Sequence, residues 1–224
     1  GKDIVIKSTD GAEKTKIVKD VLKKYTAAML MSDENDAQIG DPEDEEGNRT
    51  FKYDVSKEWH TWTPEDIPGS TLEGFTLELN GPVDGVGVFG GRIKNCRLIC
   101  EEGADRFIPV QVAVLENCLI TAGNLGVWID EEGNEDGDVE VLSDCLLRNC
   151  TIYTESMICA SQMENVIVYG RKDNVYLDEE GTHKPTLSNC IFYNVKGVSG
   201  RKGVTIADPK FVDAANGDFR LQAG

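Results

Sequence analysis

The 224-residue sequence contains no apolar run that approaches the ~20 residues needed to span a membrane, and it has no recognisable signal peptide. It is also poor in basic residues: 23 Lys and Arg stand against 40 Asp and Glu, which gives a net charge of −17. That charge argues against nucleic acid and anionic membrane as partners, because both require a basic surface. With 40% hydrophobic residues, the chain still has enough apolar material to form a core.

Histidine and paired cysteine motifs are scarce as well. His60 and His183 are the two histidines, and there is no Cys-x-x-Cys, so the sequence does not predict a zinc site. The seven cysteines are predicted to be buried free thiols that pack as small hydrophobes. Thiols stacked on neighbouring strands point the same way and are poorly placed for disulfide geometry.

The acidic residues that are present are clustered. Residues 33–46 hold eight acids and residues 130–140 hold seven, in both cases without a Lys or Arg. Such runs repel themselves and cannot enter a core, so they predict exposed loops. Between them lie short apolar segments with few charges.

A repeated heptapeptide is the strongest signal in the chain. Its pattern is x-Φ-polar-Asn-Cys-x-Φ, where Φ is a large apolar residue. The six copies are Thr71–Leu77, Arg92–Leu98, Val114–Ile120, Leu146–Ile152, Gln162–Val168 and Thr186–Phe192. The Asn position falls at Gly74, Asn95, Asn117, Asn149, Asn165 and Asn189, with spacings of 21, 22, 32, 16 and 24 residues.

This pattern predicts a strand, a one-residue bend and a second strand. The second, fifth and seventh positions all face inward, which strict alternation cannot achieve, so the phase must shift at Asn. Asn tolerates the left-handed conformation best after Gly, and Gly74 satisfies the same requirement. Parallel stacking of such units about 4.8 Å apart builds a solenoid with Asn and Cys ladders.

These repeats resemble the right-handed parallel β-helix proteins of the pectin-lyase-like superfamily, and especially repeat domains of large bacterial surface and secreted proteins. The opening Ile4–Thr15 and the closing Ala207–Leu221 carry the same likeness. The resemblance implies an all-β, single-stranded right-handed parallel β-helix with acidic loop insertions, located at the bacterial cell surface or outside the cell. It covers residues 1–32 and 70–224.

The predicted organisation is a single β-helix domain over residues 1–224, a fragment of a longer protein. Residues 33–69 form a non-repeat acidic and aromatic insertion, and residues 207–224 form a terminal turn. One stretch has two interpretations: residues 13–31 have helical spacing, whereas the resemblance favours strands at Ile4–Lys7, Lys16–Val18 and Ala27–Met31.

Two insertions end alike, in Val127–Gly133 and Val175–Gly181, and each contains Asp-Glu-Glu-Gly. This favours hairpins with Gly in the positive-φ position of the turn. The alternative is a calcium site, because a hard cation takes six to eight oxygen ligands. Its predicted ligands are Asp130, Glu132, Asn134, Asp136 and Asp138. The loop departs from the calcium template at its twelfth position, which is Ser143.

Four aromatic residues are candidates for stacking on sugar rings: Trp59, Trp62, Trp128 and Tyr176. The alternative for Trp59 and Trp62 is that the insertion folds back on the coil and buries them as a local core, since a long excursion must bury something to be ordered.

Enzyme motifs are incomplete. Arg92-Ile93-Lys94 resembles a polygalacturonase-like motif but lies inside the repeat, where Arg148 and Glu164 suggest that outward positions vary freely. Trp128-Ile129-Asp130 lacks the His that follows it in pectate-lyase-like enzymes. No catalytic residue is assigned. The sequence therefore favours a non-catalytic adhesion or glycan-contact module, with a polysaccharide lyase or glycoside hydrolase and a purely structural spacer as alternatives.

Overall fold

The computed structural model describes residues 5–20, 26–30, 63–67, 69–80, 85–101, 107–129, 135–138, 140–173, 175–177 and 185–223. Within these residues the protein is all-β, with parallel strands stacked in sheets, as in a parallel β-helix. The helical turns in this part of the chain are two 3-10 turns, Pro64–Asp66 and Ala214–Asn216. Neither is long and apolar enough to cross a membrane.

The coil has three sides, which the chain visits in turn. The first side comprises β1 (Val5–Lys7), β4 (Thr71–Glu73), β7 (Arg92–Lys94), β10 (Val114–Glu116), the ends of β14 (Glu140–Arg148) and β16 (Met157–Glu164), and β18 (Thr186–Ser188). The second side comprises β2 (Lys16–Asp20), β5 (Thr76–Asn80), β8 (Arg97–Cys100), β11 (Leu119–Ala122), β15 (Thr151–Thr154), β17 (Ile167–Gly170), β19 (Cys190–Tyr193) and β20 (Val204–Ile206).

The third side comprises β3 (Thr26–Leu30), β6 (Gly85–Phe89), β9 (Phe107–Gln111) and the beginnings of β14 and β16. Because β14 and β16 run from the third side into the first, those two sides form one continuous sheet. Residues 16–20 and 26–30 pair in parallel with β5 and β6, so the helical interpretation of residues 13–31 is wrong there. Strand pairing with the next rung overrides the helical spacing of the apolar residues.

Equivalent residues of successive rungs stack directly above one another. On the first side the inward column is Leu72, Ile93, Leu115, Leu147 and Met163, each no more than 2% exposed. On the second side it is Leu77, Leu98, Ile120, Ile152, Val168 and Phe192, all fully buried. The two columns meet inside the coil and form its core.

The predicted bend between the first and second sides is confirmed. Asn95, Asn117, Asn149, Asn165 and Asn189 all have φ between 52° and 54°, and Gly74 has φ 79°. The bend amides from Gly74 to Asn165 each donate to a carbonyl of the next rung; for example, Asn95 donates to Glu116 at 2.9 Å and Asn149 to Glu164 at 3.0 Å. Side chains add a ladder, in which Asn117 donates to Asn95 at 3.2 Å and Asn165 to Asn149 at 3.1 Å.

A second bend, between the third and first sides, was not predicted. Gly90, Gly91, Val112 and Asp144 have φ of 73°, 72°, 53° and 52°. The Val112 amide donates to the Ser143 carbonyl of the next rung at 2.9 Å, as the Asn amides do. The segment Leu142-Ser-Asp-Cys145 follows the Φ-polar-Asn-Cys pattern with Asp in place of Asn, so one copy of this bend was visible in the sequence.

Outward positions on the first side do not vary freely. The prediction of free variation, which was based on Arg148 and Glu164, is therefore wrong. The residues stacked in register at the third strand position alternate in sign: Lys7, Glu73, Lys94, Glu116, Arg148 and Glu164. Neighbours pair at 2.7 Å for Lys7–Glu73, 2.7 Å for Lys94–Glu116 and 2.9 Å for Arg148–Glu164. Arg92-Ile93-Lys94 is therefore part of a structural column.

The acidic insertion at residues 127–138 is a hairpin over its described residues, since β12 (Val127–Ile129) pairs antiparallel with β13 (Glu135–Asp138). The matching segment of the other insertion pairs differently over its described residues, 175–177. Tyr176 and Leu177 form parallel bridges with Lys196 and Ile158, so this segment joins the stack of the coil. Trp128 and Tyr176 are thus not equivalent, because the shared Asp-Glu-Glu-Gly follows two different strand pairings.

Cysteines occupy the inside of the bends, as predicted, and all seven are buried free thiols. The Sγ–H of Cys96 donates to the Lys94 carbonyl at 3.1 Å, and that of Cys150 to the Arg148 carbonyl at 3.2 Å. Burial raises the pKa of the Cys145 thiol to about 12 and also raises that of Cys100.

The first testable prediction concerns the bend. Asn149→Ala should lower the free energy of unfolding by about 1–2 kcal/mol, because Ala resists the left-handed conformation and cannot accept the hydrogen bond from Asn165. Asn149→Gly keeps the backbone freedom and should cost less than about 1 kcal/mol. Urea unfolding of both variants beside the wild type measures the difference. Equal losses would show that φ at this position does not limit stability.

The second prediction concerns the thiols. Because all seven are buried and the thiolate is the reactive form, the folded protein at neutral pH should react negligibly with Ellman's reagent. In denaturant all seven should react. Detection of five or fewer thiols in denaturant would mean that a disulfide exists and would contradict the thiol ladder.

Candidate functional site

Tyrosines form a column on the outer surface of the second side. Successive strands place Thr121, Tyr153, Tyr169 and Tyr193 in register, one rung apart. The ring centroids of Tyr153 and Tyr169 are 5.3 Å apart, and those of Tyr169 and Tyr193 are 4.8 Å apart. Burial raises the pKa of Tyr169 above its ordinary value, so its phenol stays neutral at physiological pH. The outer face of this sheet is therefore aromatic at its later rungs.

The chain after β20 packs against this column. It consists of β21 (Phe211–Asp213), the 3-10 turn Ala214–Asn216 and β22 (Asp218–Leu221), with β21 and β22 paired antiparallel. Phe219 packs edge-on against Tyr153 with centroids 5.3 Å apart, and Phe211 lies 6.1 Å from Tyr169. The two phenylalanines also contact each other at 5.4 Å. The closing motif of the sequence thus covers part of the tyrosine column.

A cavity of about 330 Å³ lies between this segment and the sheet. Its walls include Arg97, Glu101, Thr121, Tyr153 and Arg171 from the coil, and Phe219 from the covering segment. That volume is within the range of small-ligand pockets. The cavity therefore combines an aromatic wall with charged groups of both signs.

Arg171 organises one end of the cavity. Its guanidinium pairs with Glu101 at 2.8 Å and with Glu155 at 3.4 Å, and it donates to the Ala122 carbonyl at 3.2 Å. It also lies over the Tyr153 ring, 5.0 Å from the centroid. Partial burial lowers the pKa of Arg171, but the hydrogen bond to Glu101 and the nearby carboxylates outweigh this and raise it. The side chain is thus a fixed cation with a defined orientation.

Arg97 differs from Arg171. It is half-buried at the first strand position of β8, where it stacks between Thr76 and Leu119. Within the part of the chain that the structure describes, its guanidinium has no ion pair. A half-buried guanidinium with free donors in a cavity wall is suited to binding an oxygen-rich ligand.

The geometry gives little support to acid–base catalysis at this place. Glu101 and Glu155 both pair with the guanidinium of Arg171, at 2.8 Å and 3.4 Å. His60 and His183 lie outside the described residues. Cys100 precedes Glu101 directly, but it is fully buried and its raised pKa keeps it a thiol. Among the described lining residues, the chemistry available is hydrogen bonding, charge and aromatic contact.

The described residues that line this cavity are not among the predicted site residues. Trp59, Trp62, Asp130, Glu132 and Asn134 lie outside the described residues. Trp128 is in β12, and Asp136 and Asp138 are in β13. Tyr176 is half-buried in the coil. In the described part of the chain, no group of three or more His, Cys, Asp or Glu side chains could hold a metal. The calcium site and the four aromatic candidates therefore stay predictions.

The tyrosine column was missed although the sequence displays it. In the last three repeats a Tyr follows the bend position by four residues, as Tyr153 follows Asn149, Tyr169 follows Asn165 and Tyr193 follows Asn189. That spacing places all three rings on one outward column. Phe211 and Phe219 could not be assigned to the column in the same way, because they reach it from outside the repeat.

Comparison of the chain with protein-family models, with curated proteins and with solved structures gives no match. The class of the protein therefore rests on its own strands: an all-β chain of stacked parallel strands with a ligand-sized cavity on one outer face.

The third prediction concerns calcium. If residues 130–138 bind Ca²⁺, titration with millimolar calcium should release heat and raise the melting temperature, because a ligand that binds the folded state stabilises it. Asp136→Asn with Asp138→Asn should abolish both effects. Magnesium at the same concentration serves as the control. An absence of heat and of stabilisation would contradict the site.

Proposed function

We propose that this chain is a non-catalytic module of a bacterial cell-surface or secreted protein that contacts glycans through the cavity beside the second side of the coil. The proposal includes a right-handed parallel β-helix like those of the pectin-lyase-like superfamily. A right-handed winding is supported by the general preference of connections between parallel strands for that hand. The superfamily is supported by the resemblance of the Asn-Cys repeat.

One observation carries the proposal: the cavity is lined by the Tyr153 ring, the oriented Arg171–Glu101 pair and Arg97, which makes no ion pair with any described residue. Sugars present hydroxyls around their edge and C–H groups on their faces. Charged side chains donate to or accept from the hydroxyls, and hydrogen bonds to charged groups are the stronger ones. An aromatic wall complements the C–H faces. Each wall of the cavity therefore has a partner on a sugar.

The alternatives are an enzyme and a spacer. A lyase or hydrolase of this scaffold requires a base or a carboxylate pair placed on one sugar unit. Glu101, which lines the cavity, and Glu155 both pair with Arg171. A spacer requires no concave site, and it gives no role to a half-buried Arg97 that lacks an ion pair within the described part of the chain. Trp59, Trp62, Trp128 and Tyr176 are proposed as a second, separate glycan contact.

The fourth prediction is a polysaccharide panel read in two ways. Affinity electrophoresis through neutral and acidic polysaccharides should retard the protein in at least one gel, and assays for reducing ends and unsaturated products should stay at background. Arg97→Ala should raise the dissociation constant about tenfold or more, since a hydrogen bond to a charged group contributes about 1.5–3 kcal/mol.

Arg148→Ala is the matched control, because Arg148 is an exposed arginine on the first side, where it pairs with Glu164. It should leave retardation unchanged. Product release from any polysaccharide would contradict the non-catalytic assignment. Migration unaffected by every polysaccharide would contradict glycan contact and favour the spacer.

A further inference from the structure

The segment that covers the tyrosine column is bonded to itself. Within residues 208–222, Lys210 pairs with Asp208 at 2.8 Å and Arg220 with Asp218 at 2.6 Å. The backbone of the segment closes on itself as well, where the Gln222 amide donates to the Lys210 carbonyl at 2.8 Å. In the described part of the chain, every hydrogen bond and ion pair made by residues 208–222 has both partners inside that segment.

Its attachment to the coil is apolar. The strands β21 and β22 form a two-stranded sheet that joins neither of the large sheets. The last backbone hydrogen bond to the coil comes from Ala207, which donates to the Phe192 carbonyl at 3.1 Å. Beyond that residue, Phe211 and Phe219 contact the coil by packing against Tyr169 and Tyr153. Separation from the coil therefore breaks ring contacts and leaves no buried polar group unpaired.

The surface beneath the segment continues the cavity. Tyr153 is both a wall of the cavity and the first ring of the column that continues through Tyr169 to Tyr193. Beside this column lie Ile167 and Ile191, which are stacked in register and half-buried. The cavity, whose walls carry charged groups, and the covered aromatic column thus form one groove that runs across successive rungs.

We infer that residues 208–222 are a displaceable cover of this groove, which separates from the coil as a unit while the coil stays folded. The inference extends the proposed function: a ligand longer than the cavity would displace Phe211 and Phe219 and stack on Tyr153, Tyr169 and Tyr193 in their place. Aromatic rings and the C–H faces of sugars make the same kind of contact with a tyrosine ring. The cover therefore competes with an extended glycan and favours ligands that span several rungs.

The fifth prediction is tested by hydrogen exchange of the full chain, followed by mass spectrometry. Amides of residues 208–222 should exchange about tenfold or more faster than those of β15, β17 and β19, because the cover opens without unfolding the coil. The double variant Phe211→Ala, Phe219→Ala should raise exchange in this segment further and leave the coil strands unchanged. Val212→Ala is the control, because Val212 lies in the same strand as Phe211 but is 45% exposed. This variant should change neither the exchange of residues 208–222 nor that of the coil strands.

Exchange of the segment at the rate of the coil strands, in both the wild type and the double variant, would overturn the cover. A second arm adds cellohexaose, chitohexaose or hexagalacturonate, each compared with its monosaccharide. Faster exchange of residues 208–222 with a hexasaccharide, but not with the monosaccharide, would support displacement by an extended ligand. A separately opening segment that none of these sugars affects would support the cover and contradict its displacement by extended glycans. Glycan contact itself is tested by the polysaccharide panel, so the cover and the proposed function can fail independently.

Discussion

The bend amides connect each rung to the next, and the rest of the structure depends on them. At the corner between the first and second sides, a residue in the left-handed conformation reverses the inward and outward phase of the chain while its amide donates to the rung above. A residue that could not adopt that conformation would move the following strand out of phase, because a shift of one residue exchanges the two faces of a strand. The core, the thiols and both outward columns share that register.

The outward columns show how the same register produces different surfaces. On the first side, stacking at the third strand position brings unlike charges together about 4.8 Å apart, and residues of alternating sign occupy it. On the second side, the corresponding position brings tyrosines together. Each exposed ion pair contributes less than about 1 kcal/mol. The alternating charges therefore contribute more to the correct stacking order of the rungs than to the stability of the fold.

Features that recur within one repeat could be predicted, and features that depend on distant segments could not. The bend at Asn149, the burial of Cys150 and the parallel stacking follow from seven residues read locally. The third-side bend uses Gly90 and Asp144, which tolerate the left-handed conformation, but also Val112, a β-branched residue that does not, so at Val112 the neighbouring rungs determine the bend. The cavity requires Phe219 to lie on Tyr153, and no local pattern links residues so far apart.

The net charge of −17 describes the whole chain and does not predict the charge of the cavity. Fifteen of the forty acids lie in residues 33–46 and 130–140. None of the described residues that line the cavity belongs to these two stretches. Among the described residues that line the cavity, Arg97 and Arg171 are positive and Glu101 is negative, so the lining carries one excess positive charge. Exposed charges farther away than about 10 Å are largely screened at physiological salt. An acidic protein can therefore present a cavity with a small local excess of positive charge. Under the proposed function, we expect Arg97, rather than the total charge, to determine the choice between neutral and acidic sugars.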